Sequence, residues 1–215
     1  MIEARALVKE YPTHAGMRRV LDNINIRVAP GEKLAILGRN GAGKSTLIKL
    51  IGGVEEPTSG VVHRGLSLSW PLGFEGGFHP NLTGHDNIRF IARIYDQPFD
   101  KVLAFTEDFA ELGKELHMPM ETYSTGMRAR LAFGLSLAID FECYLIDEVI
   151  LAGDQKFHRK CRDAIFDQRG NRAMILASHA MDIVREYCTH ALVLKEGRGK
   201  TFYDIETAID IYSSL

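Results

Sequence analysis

Gly38-Arg39-Asn40-Gly41-Ala42-Gly43-Lys44-Ser45 follows a short apolar run at residues 33–37 and opens a helical pattern at residues 43–51. Its glycines allow the backbone to curl so that successive N–H groups face one anion, and the helix N-terminus adds about half a positive charge. Lys44 can then reach the β- and γ-phosphates of a nucleotide, and Ser45 can ligate Mg²⁺. With Thr46 after it, the stretch predicts a binding site for a nucleoside triphosphate.

Short apolar strands alternate with helices along the chain. Strands are predicted at residues 1–11, 20–28, 33–37, 144–146, 173–177 and 191–194, with paired strands within 61–70 and a turn at 12–19. Helices are predicted at 43–51, 84–95, 98–111, from 124 onward, and at 154–168, 181–187 and 204–212. This alternation is typical of an α/β fold with a parallel sheet covered on both faces. The helical block at about 84–140 interrupts it and is predicted to be a subdomain.

Two carboxylates end the apolar strand that begins at Cys143. They are Asp147 and Glu148. Alone this pattern is weak, because many buried strands end in an acidic residue. Beside a phosphate loop it predicts that Asp147 holds Mg²⁺, directly or through water, and that Glu148 polarises the attacking water as general base.

A second motif stands roughly 80 residues after Lys44, at Tyr123-Ser124-Thr125-Gly126-Met127. It resembles the signature motif of ABC ATPases, usually Leu-Ser-Gly-Gly-Gln: Ser124 and Gly126 match, and the other three positions differ. Ser124 could instead be only a helix N-cap, and both roles are compatible.

Three further marks of ABC ATPases occur in order along the chain. Tyr11 resembles the aromatic residue that stacks on adenine, residues 151–154 with Asp154 resemble the D-loop, and His179 resembles the switch histidine that senses the γ-phosphate. Strand-end packing of Tyr11 and a solvated helix start at His179 are the alternatives. The resemblance covers essentially residues 1–215 as one ABC ATPase domain. It implies a P-loop NTPase fold with a RecA-like parallel-sheet core, an antiparallel β subdomain and a helical signature subdomain.

The resemblance also implies a mechanism. Two protomers form a homodimer that sandwiches two ATP molecules, and the phosphate loop of each faces the signature helix of the other. Ser124, Thr125, Gly126 and Met127 would therefore act on the partner protomer's ATP. Hydrolysis removes the charge that joins the protomers, so the dimer opens.

The particular variants in this chain resemble polysaccharide exporters. They are the signature sequence, the segment at residues 148–157 and the glycine-aromatic segment at 74–78 followed by 82–84. The closest resemblance is to the ATP-binding proteins of capsular polysaccharide export, the KpsT type. That family implies two copies of this subunit bound to two copies of a polytopic membrane channel subunit, at the cytoplasmic face of the bacterial inner membrane. The polysaccharide would meet the channel and not the ATPase.

One expected residue has no clear counterpart. The Q-loop glutamine, which links Mg²⁺ and water to the membrane subunit in the family, is missing between residues 69 and 82, and Glu75 is the nearest polar candidate. Trp70, Phe74 and Phe78 form an aromatic group in the same segment. Core packing explains them, or else part of the group forms the groove for a coupling helix of the channel.

The composition bears on which classes of partner the protein could bind. The chain has 215 residues, a formal net charge of −2, and 46% hydrophobic and 25% charged residues, so a folded core is expected and no basic surplus points to nucleic acid. Its three widely spaced cysteines predict neither a disulfide framework nor a zinc site. There is no signal-peptide pattern, and the most apolar stretch, at 131–139, is far short of the ~20 residues that span a bilayer.

Other functions explain less of the sequence. A small-molecule kinase or a GTPase would account for Lys44 and Asp147 but leave the signature, Asp154 and His179 as coincidence. An ABC ATPase without a transporter would need a long coiled coil or a second fused domain. An ABC exporter of O-antigen, teichoic acid, lipid or drug remains the nearest alternative.

Overall fold

The computed structural model describes residues 1–14, 16–72, 77–147 and 155–215. They form two compact units. The first comprises Met1–Pro71, Phe141–Glu148 and Asn171–Leu215, and the second comprises Leu72–Asp140 and Val149–Gly170. The strands are β1 (Ile2–Thr13), β2 (Gly16–Val28), β3 (Lys33–Gly38), β4 (Ser59–Arg64), β5 (Leu68–Pro71), β6 (Cys143–Asp147), β7 (Ala173–Ala177), β8 (His190–Lys195) and β9 (Arg198–Phe202). The helices are α1 (Lys44–Gly52), α2 (Gly84–Ile94), α3 (Phe99–Ala110), α4 (Thr125–Ala138), α5 (Gln155–Arg162), α6 (Met181–Tyr187) and α7 (Ile205–Ser213).

A six-stranded sheet in the order β5-β6-β7-β3-β8-β9 forms the centre of the first unit. Its first five strands are parallel, and β9 runs antiparallel to β8. Strands β3 and β7 are buried almost throughout, which explains why they are continuous apolar runs without alternation. The predicted parallel sheet is confirmed, and β7 and α6 have the predicted bounds.

Strand β9 was not predicted. Glu196 and Gly197 both have positive φ angles, of 50° and 78°, and they form a two-residue turn between Lys195 and Arg198. Such a turn directs the chain back along β8, as type I′ turns do in hairpins. The Glu-Gly pair directly after an apolar strand was the signal that could have revealed the hairpin.

A second, antiparallel sheet in the order β2-β1-β4 also belongs to the first unit. The prediction of a turn over residues 12–19 was wrong, because the strands continue to Thr13 and resume at Gly16. Cross-strand contacts extend the ladder: Arg19 Nε lies 2.9 Å from Glu10 Oε1, and Thr13 Oγ1 donates to Gly16 O at 2.6 Å.

The strands predicted to pair within residues 61–70 do not pair with each other. β4 joins β1, whereas β5 joins β6 in the other sheet. Ser67, between them, explains the separation: its backbone N–H donates to the Glu142 carboxylate at 2.8 Å, and its carbonyl accepts from the backbone N–H of Cys143 at 3.0 Å. These bonds direct the chain to β6 before β5 begins.

Helix α1 packs in the main core of the first unit through Leu47, Ile48, Leu50 and Ile51, all fully buried. Its C-terminal end is bound by Arg64 of β4, which donates through Nε to Ile51 O and through Nη2 to Leu50 O, both at 2.7 Å. Terminal carbonyls of a helix have no partner within the helix, and a cation there also complements the helix dipole. Arg64 thereby links the antiparallel sheet to the phosphate-loop helix.

The second unit is helical and contains α2, α3, α4 and α5. Phe109 of α3 contacts Phe133 of α4 and Phe157 of α5, with ring centroids 6.3 and 5.6 Å apart. Thr83 caps α2, since its Oγ1 accepts from Asp86 N at 3.0 Å. After Arg162 the chain continues as a π-helical segment, Asp163–Asp167. The described residues include no helix with the length and apolarity that crossing a membrane requires.

The three cysteines are free thiols. Cys143 and Cys161 are buried and Cys188 is half-buried. Burial raises the pKa of each thiol to about 12, because the thiolate is poorly solvated there. The thiols are therefore protonated near neutral pH.

Candidate nucleotide site

The loop between β3 and α1 is built for a phosphate. Gly41 and Gly43 have φ angles of 83° and 107°, which favour glycine, and a Cβ on Gly43 would lie 2.7 Å from Leu21 Cδ2. Gly43 is the N-cap of α1, and no side chain among the described residues caps that end. Within the described part of the chain, the first backbone N–H groups of α1 therefore have no side-chain acceptor, which is the arrangement of an anion site.

Lys44 lies beneath this loop and is only 6% exposed. Its Nζ donates to Gly38 O at 2.7 Å and to Arg39 O at 3.4 Å, and it lies 3.3 Å from His179 Nε2. The three contacts match the three hydrogens of an ammonium group, which has no acceptor site. Lys44 is therefore a buried cation that the backbone carbonyls of the loop hold in place.

Ser45 and Asp147 meet at the same end of the sheet. Asp147 ends β6 beside Ala177 of β7, and Ser45 Oγ donates to Asp147 Oδ1 at 3.1 Å. Parallel strands place their carboxyl ends at one edge, which explains why residues about a hundred positions apart come together. A hydroxyl and a carboxylate are hard oxygen ligands of the kind that Mg²⁺ takes.

His179 follows β7 and precedes α6, so it lies at the same carboxyl edge. Its Nε2 faces Lys44, and its Nδ1 lies 2.7 Å from the hydroxyl of Tyr212 on α7. The predicted neighbourhood of Lys44, Ser45, Asp147 and His179 is therefore present within the first unit. Tyr212 was missed, and no sequence motif could have found it, because only the packing of α7 brings it near.

A cavity of about 460 Å³ opens over the phosphate loop. It is lined by residues 40, 41 and 43–46, and also by Arg18 and Val20 of β2. This volume is in the range of small-ligand sites. Sequence reasoning missed both residues at the cavity: Arg18 lies in the part of β2 that was predicted as a turn, and Val20 lies in the predicted strand but was not placed near the loop.

Tyr11 lies directly opposite Arg18 in that hairpin. Directly opposed residues of antiparallel strands share one face, so Tyr11 stands on the same face as a residue that lines the cavity. Its hydroxyl donates to Glu55 Oε2 at 2.5 Å and also bonds the side chain of Thr46, another lining residue. Burial and then the Glu55 bond raise the pKa of Tyr11, and the Tyr11 bond is the main cause that lowers the pKa of Glu55.

The signature segment belongs to the second unit. Ser124 is the N-cap of α4, as predicted, and its Oγ accepts from Met127 N at 3.2 Å. Ser124 and Thr125 are exposed. Among the residues that the structure describes, a Cβ on Gly126 would meet no atom nearer than Ser124 Oγ at 4.0 Å, so these residues do not demand a glycine there.

Several predicted site residues lie outside the described residues. They are Glu148, the D-loop with Asp154, and the Q-loop candidate Glu75 together with Phe74. Of the aromatic group, Trp70 packs edge-on against Phe141 with ring centroids 5.5 Å apart, and Phe78 is half-buried.

The comparisons with known proteins bear on this site. The family profile described as ABC transporter matches residues 21–150. The chain is 52% identical to the capsule polysaccharide export ATP-binding protein CtrD of Neisseria meningitidis serogroup B, over all of both chains. The chain belongs to this family of ABC transporter ATP-binding proteins. The membership confirms the recognition made from the motifs and the classification as an ATPase.

Other relatives agree. The chain is 46% identical to the polysialic acid transport ATP-binding protein KpsT of Escherichia coli, over 99% of this chain and 98% of that one. Its fold is similar to a solved dimeric ATP-binding cassette in a post-hydrolysis state bound to ADP and Pi, with a TM-score of 0.79 at 20% identity. That similarity covers 94% of this chain and 98% of the other, and it confirms the predicted ABC ATPase fold.

Proposed function

We propose that this protein is the ATP-hydrolysing subunit of an ABC exporter of capsular polysaccharide. The observation that carries the proposal is the convergence of Lys44, the Ser45–Asp147 pair and His179 on one uncapped helix N-terminus. The names of two relatives, a capsule polysaccharide export protein and a polysialic acid transport protein, support the choice of substrate.

Lys44 is the binding residue for the β- and γ-phosphates in this proposal. Its present contacts are two backbone carbonyls and a histidine, and a triphosphate offers stronger, charged acceptors in the same place. Residues 38–46 supply the backbone donors around it. His179, next to Lys44, would contact the γ-phosphate, and Glu148 would activate the attacking water.

Ser45 and Asp147 would hold Mg²⁺. Among the described residues, no group of three or more His, Cys, Asp or Glu side chains could hold a metal ion by itself. A hydroxyl and one carboxylate suit Mg²⁺, which commonly takes one or two protein ligands and completes its shell with phosphate oxygens and water. When bound, the ion would neutralise charge on the β- and γ-phosphates.

Tyr11 would stack on the adenine. The ring stands on the face of the hairpin that also bears Arg18, at the rim of the cavity. The bonds to Glu55 and Thr46 fix the ring, so little conformational freedom would be lost when a base stacks on it.

The N-terminus of α4 would act on the ATP of a partner protomer in a homodimer. Ser124, Thr125, Gly126 and Met127 form that end, and Asp154 and Glu75 would contribute from the D-loop and the Q-loop. The exposure of Ser124 and Thr125 and the open space at Gly126 support an approach by a phosphate from outside.

Two such subunits would bind two copies of a polytopic membrane channel at the cytoplasmic face of the inner membrane, with the polymer meeting the channel. Glu148→Gln should bind ATP without turnover and retain the closed complex. We would isolate this variant with ATP from native membranes and identify its partners. A polytopic channel encoded beside capsule-synthesis enzymes is the expected result. A channel encoded beside genes for another exported substrate would overturn the capsule proposal, and a soluble partner would overturn the transport proposal.

A further inference from the structure

Tyr212 lies on α7, outside every motif assigned to the nucleotide site. Its hydroxyl is 2.7 Å from His179 Nδ1, and the two ring centroids are 6.2 Å apart. The imidazole is therefore contacted at both nitrogens, by Tyr212 on one side and by Lys44 on the other. This line of contacts connects α7 to the phosphate loop.

Helix α7 is anchored to the strand that leads into that loop. Ala208 and Ile209 are buried in a cluster with Leu37 of β3, and Tyr212 packs at the margin of the same cluster. Leu37 directly precedes Gly38, the first residue of the loop. The hydroxyl of Tyr212 thus has a fixed position relative to Lys44.

The segment that carries His179 is tied to the same helix. Arg185 of α6 donates through Nε to both oxygens of Glu206 on α7, at 2.9 and 3.2 Å. Both side chains are largely exposed, so the pair adds little stability. Val184 of α6 is buried in the same cluster as Ala208 and Ile209, so apolar packing holds α6 beside α7, and His179 stands immediately before α6.

The contacts of His179 determine its tautomer in the absence of nucleotide. A lysine ammonium can only donate, so Nε2 must accept from Lys44. The ring is then neutral with its proton on Nδ1, which donates to the oxygen of Tyr212. The distances from Nε2 to Lys44 and from Nδ1 to Tyr212 therefore indicate the tautomer that is protonated on Nδ1.

A nucleotide would require the opposite arrangement. To donate to a γ-phosphate oxygen, Nε2 must carry a proton. In the neutral ring Nδ1 would then accept, and a phenol O–H can donate to it just as its oxygen accepted before. The exchange of one proton for the other can proceed through solvent, because His179 is exposed, and it leaves the net charge unchanged.

We infer that Tyr212 is a positioning residue that holds the His179 ring in one orientation through both tautomers. This inference rests on the proposed contact between His179 and the γ-phosphate. The hydroxyl is the group that matters, since it alone of the tyrosine's atoms both donates and accepts. Phenylalanine at this position would keep the packing against the α7 cluster and lose the orientation.

The first test is the ¹⁵N NMR spectrum of histidine-labelled, nucleotide-free protein, with His179→Ala identifying the signals. The wild type is expected to show His179 as the neutral tautomer protonated on Nδ1. In Tyr212→Phe the ring is no longer held with Nε2 toward Lys44, so either nitrogen can accept from the ammonium, and that signature should give way to a mixture of tautomers. Tyr203→Phe is the matched control, because Tyr203 stacks on His190 but is 78% exposed and does not line the cavity over the phosphate loop. An unchanged His179 signature in Tyr212→Phe would overturn the inference.

The second test is steady-state ATP hydrolysis. Tyr212→Phe should lower kcat by roughly two- to tenfold, the value of one neutral hydrogen bond, while KM for MgATP changes by less than about twofold. In a His179→Ala background the same substitution should have no further effect, because its target is gone. Equal losses in both backgrounds would show a merely structural role and overturn the inference.

The outcomes separate the inference from the proposed function. If His179→Ala retained the wild-type kcat, the role of His179 and the inference would both fall. If His179→Ala were inactive while Tyr212→Phe matched the wild type in spectrum and kcat, only the inference would fall.

Discussion

The hydroxyl of Tyr11 donates to Glu55 Oε2 at 2.5 Å, and this contact ties β1 to the loop that follows α1. Two lysines support it: Lys9 Nζ lies 3.3 Å and Lys49 Nζ 3.4 Å from the Glu55 carboxylate. Lys9 Nζ also stands 4.9 Å from the centre of the Tyr11 ring. If Tyr11 stacks on adenine as proposed, its ring would serve the ligand, whereas its hydroxyl serves the fold through Glu55.

Substitution of Tyr11 should separate these roles. Tyr11→Ala is expected to weaken ATP binding by roughly 5- to 150-fold, because base–aromatic stacking contributes about 1–3 kcal/mol. Tyr11→Phe keeps the ring and should change ATP affinity by less than about threefold, but lower the free energy of unfolding by about 1 kcal/mol through the lost hydrogen bond. Calorimetric titration with ATP and denaturant unfolding measure the two effects. Equal ATP affinity in Tyr11→Ala and the wild type would exclude stacking.

Lys44→Ala should abolish turnover or weaken ATP binding. In the proposed complex the Lys44 ammonium exchanges its contacts with a carbonyl and a histidine for contacts with phosphate oxygens, and the variant lacks this cation. The measurement is ATP hydrolysis together with binding of a fluorescent ATP analogue. Lys101→Ala, on the exposed face of α3, is the control and should match the wild type. Hydrolysis by Lys44→Ala at the wild-type rate would refute the phosphate-loop assignment.

Gly126→Ala should uncouple stability from activity. In the described part of this protomer the new Cβ would have no neighbour nearer than 4.0 Å, and alanine favours helix over glycine by about 0.5–1 kcal/mol. The melting temperature is therefore expected to hold or rise, whereas ATP hydrolysis should fall because the methyl group obstructs the partner's phosphate.

Gly134→Ala supplies the matched control in the same helix. Its Cβ would contact Phe109 Cδ1 at 3.4 Å, an ordinary packing distance inside the second unit. Hydrolysis should persist in this variant. If Gly126→Ala hydrolysed ATP at the wild-type rate, the helix end would not meet a phosphate in the way proposed.

The thiols make a prediction about pH. With pKa values of about 12, compared with an ordinary value of 9.0, they should react with an alkylating agent at pH 8 roughly a thousandfold more slowly than exposed cysteines. Cys188, half-buried, should react before Cys143 and Cys161.

The same pKa values bear on the free energy of unfolding. Because the raised pKa values belong to the folded state, stability from the protonated thiols is present below pH 9 and is lost between about pH 9 and 12. Mass spectrometry of native protein labelled across this range checks the order, and rapid labelling of Cys143 at pH 8 would contradict it.

The sequence was sufficient wherever a local pattern determines structure. The phosphate loop, the N-cap Ser124 and the buried strand β7 are of this kind, since each depends on neighbouring residues. It was insufficient where the decision is between distant segments. β4 pairs with β1 in one sheet and β5 pairs with β6 in the other, and these partners lie far away in sequence. Likewise, Tyr212 reaches His179 only because α7 packs on β3. Contacts between distant segments produce no periodic pattern of apolar residues in the sequence, so they could not be predicted from it.

Arg64 provides a test of how the phosphate-loop helix is held. Arg64→Ala should lower the free energy of unfolding by about 1–2 kcal/mol, because two terminal carbonyls of α1 lose a charged donor, and Arg64→Lys should recover only part of this since a single ammonium cannot reproduce the fork. Arg5→Ala is the control, as its pair with Glu3 is exposed and should contribute little. Arg64 binds the end of α1 opposite Lys44, so KM for ATP should stay close to the wild-type value in every variant that folds. A large rise in KM in Arg64→Ala would mean that the position of α1, and with it the phosphate loop, depends on this contact.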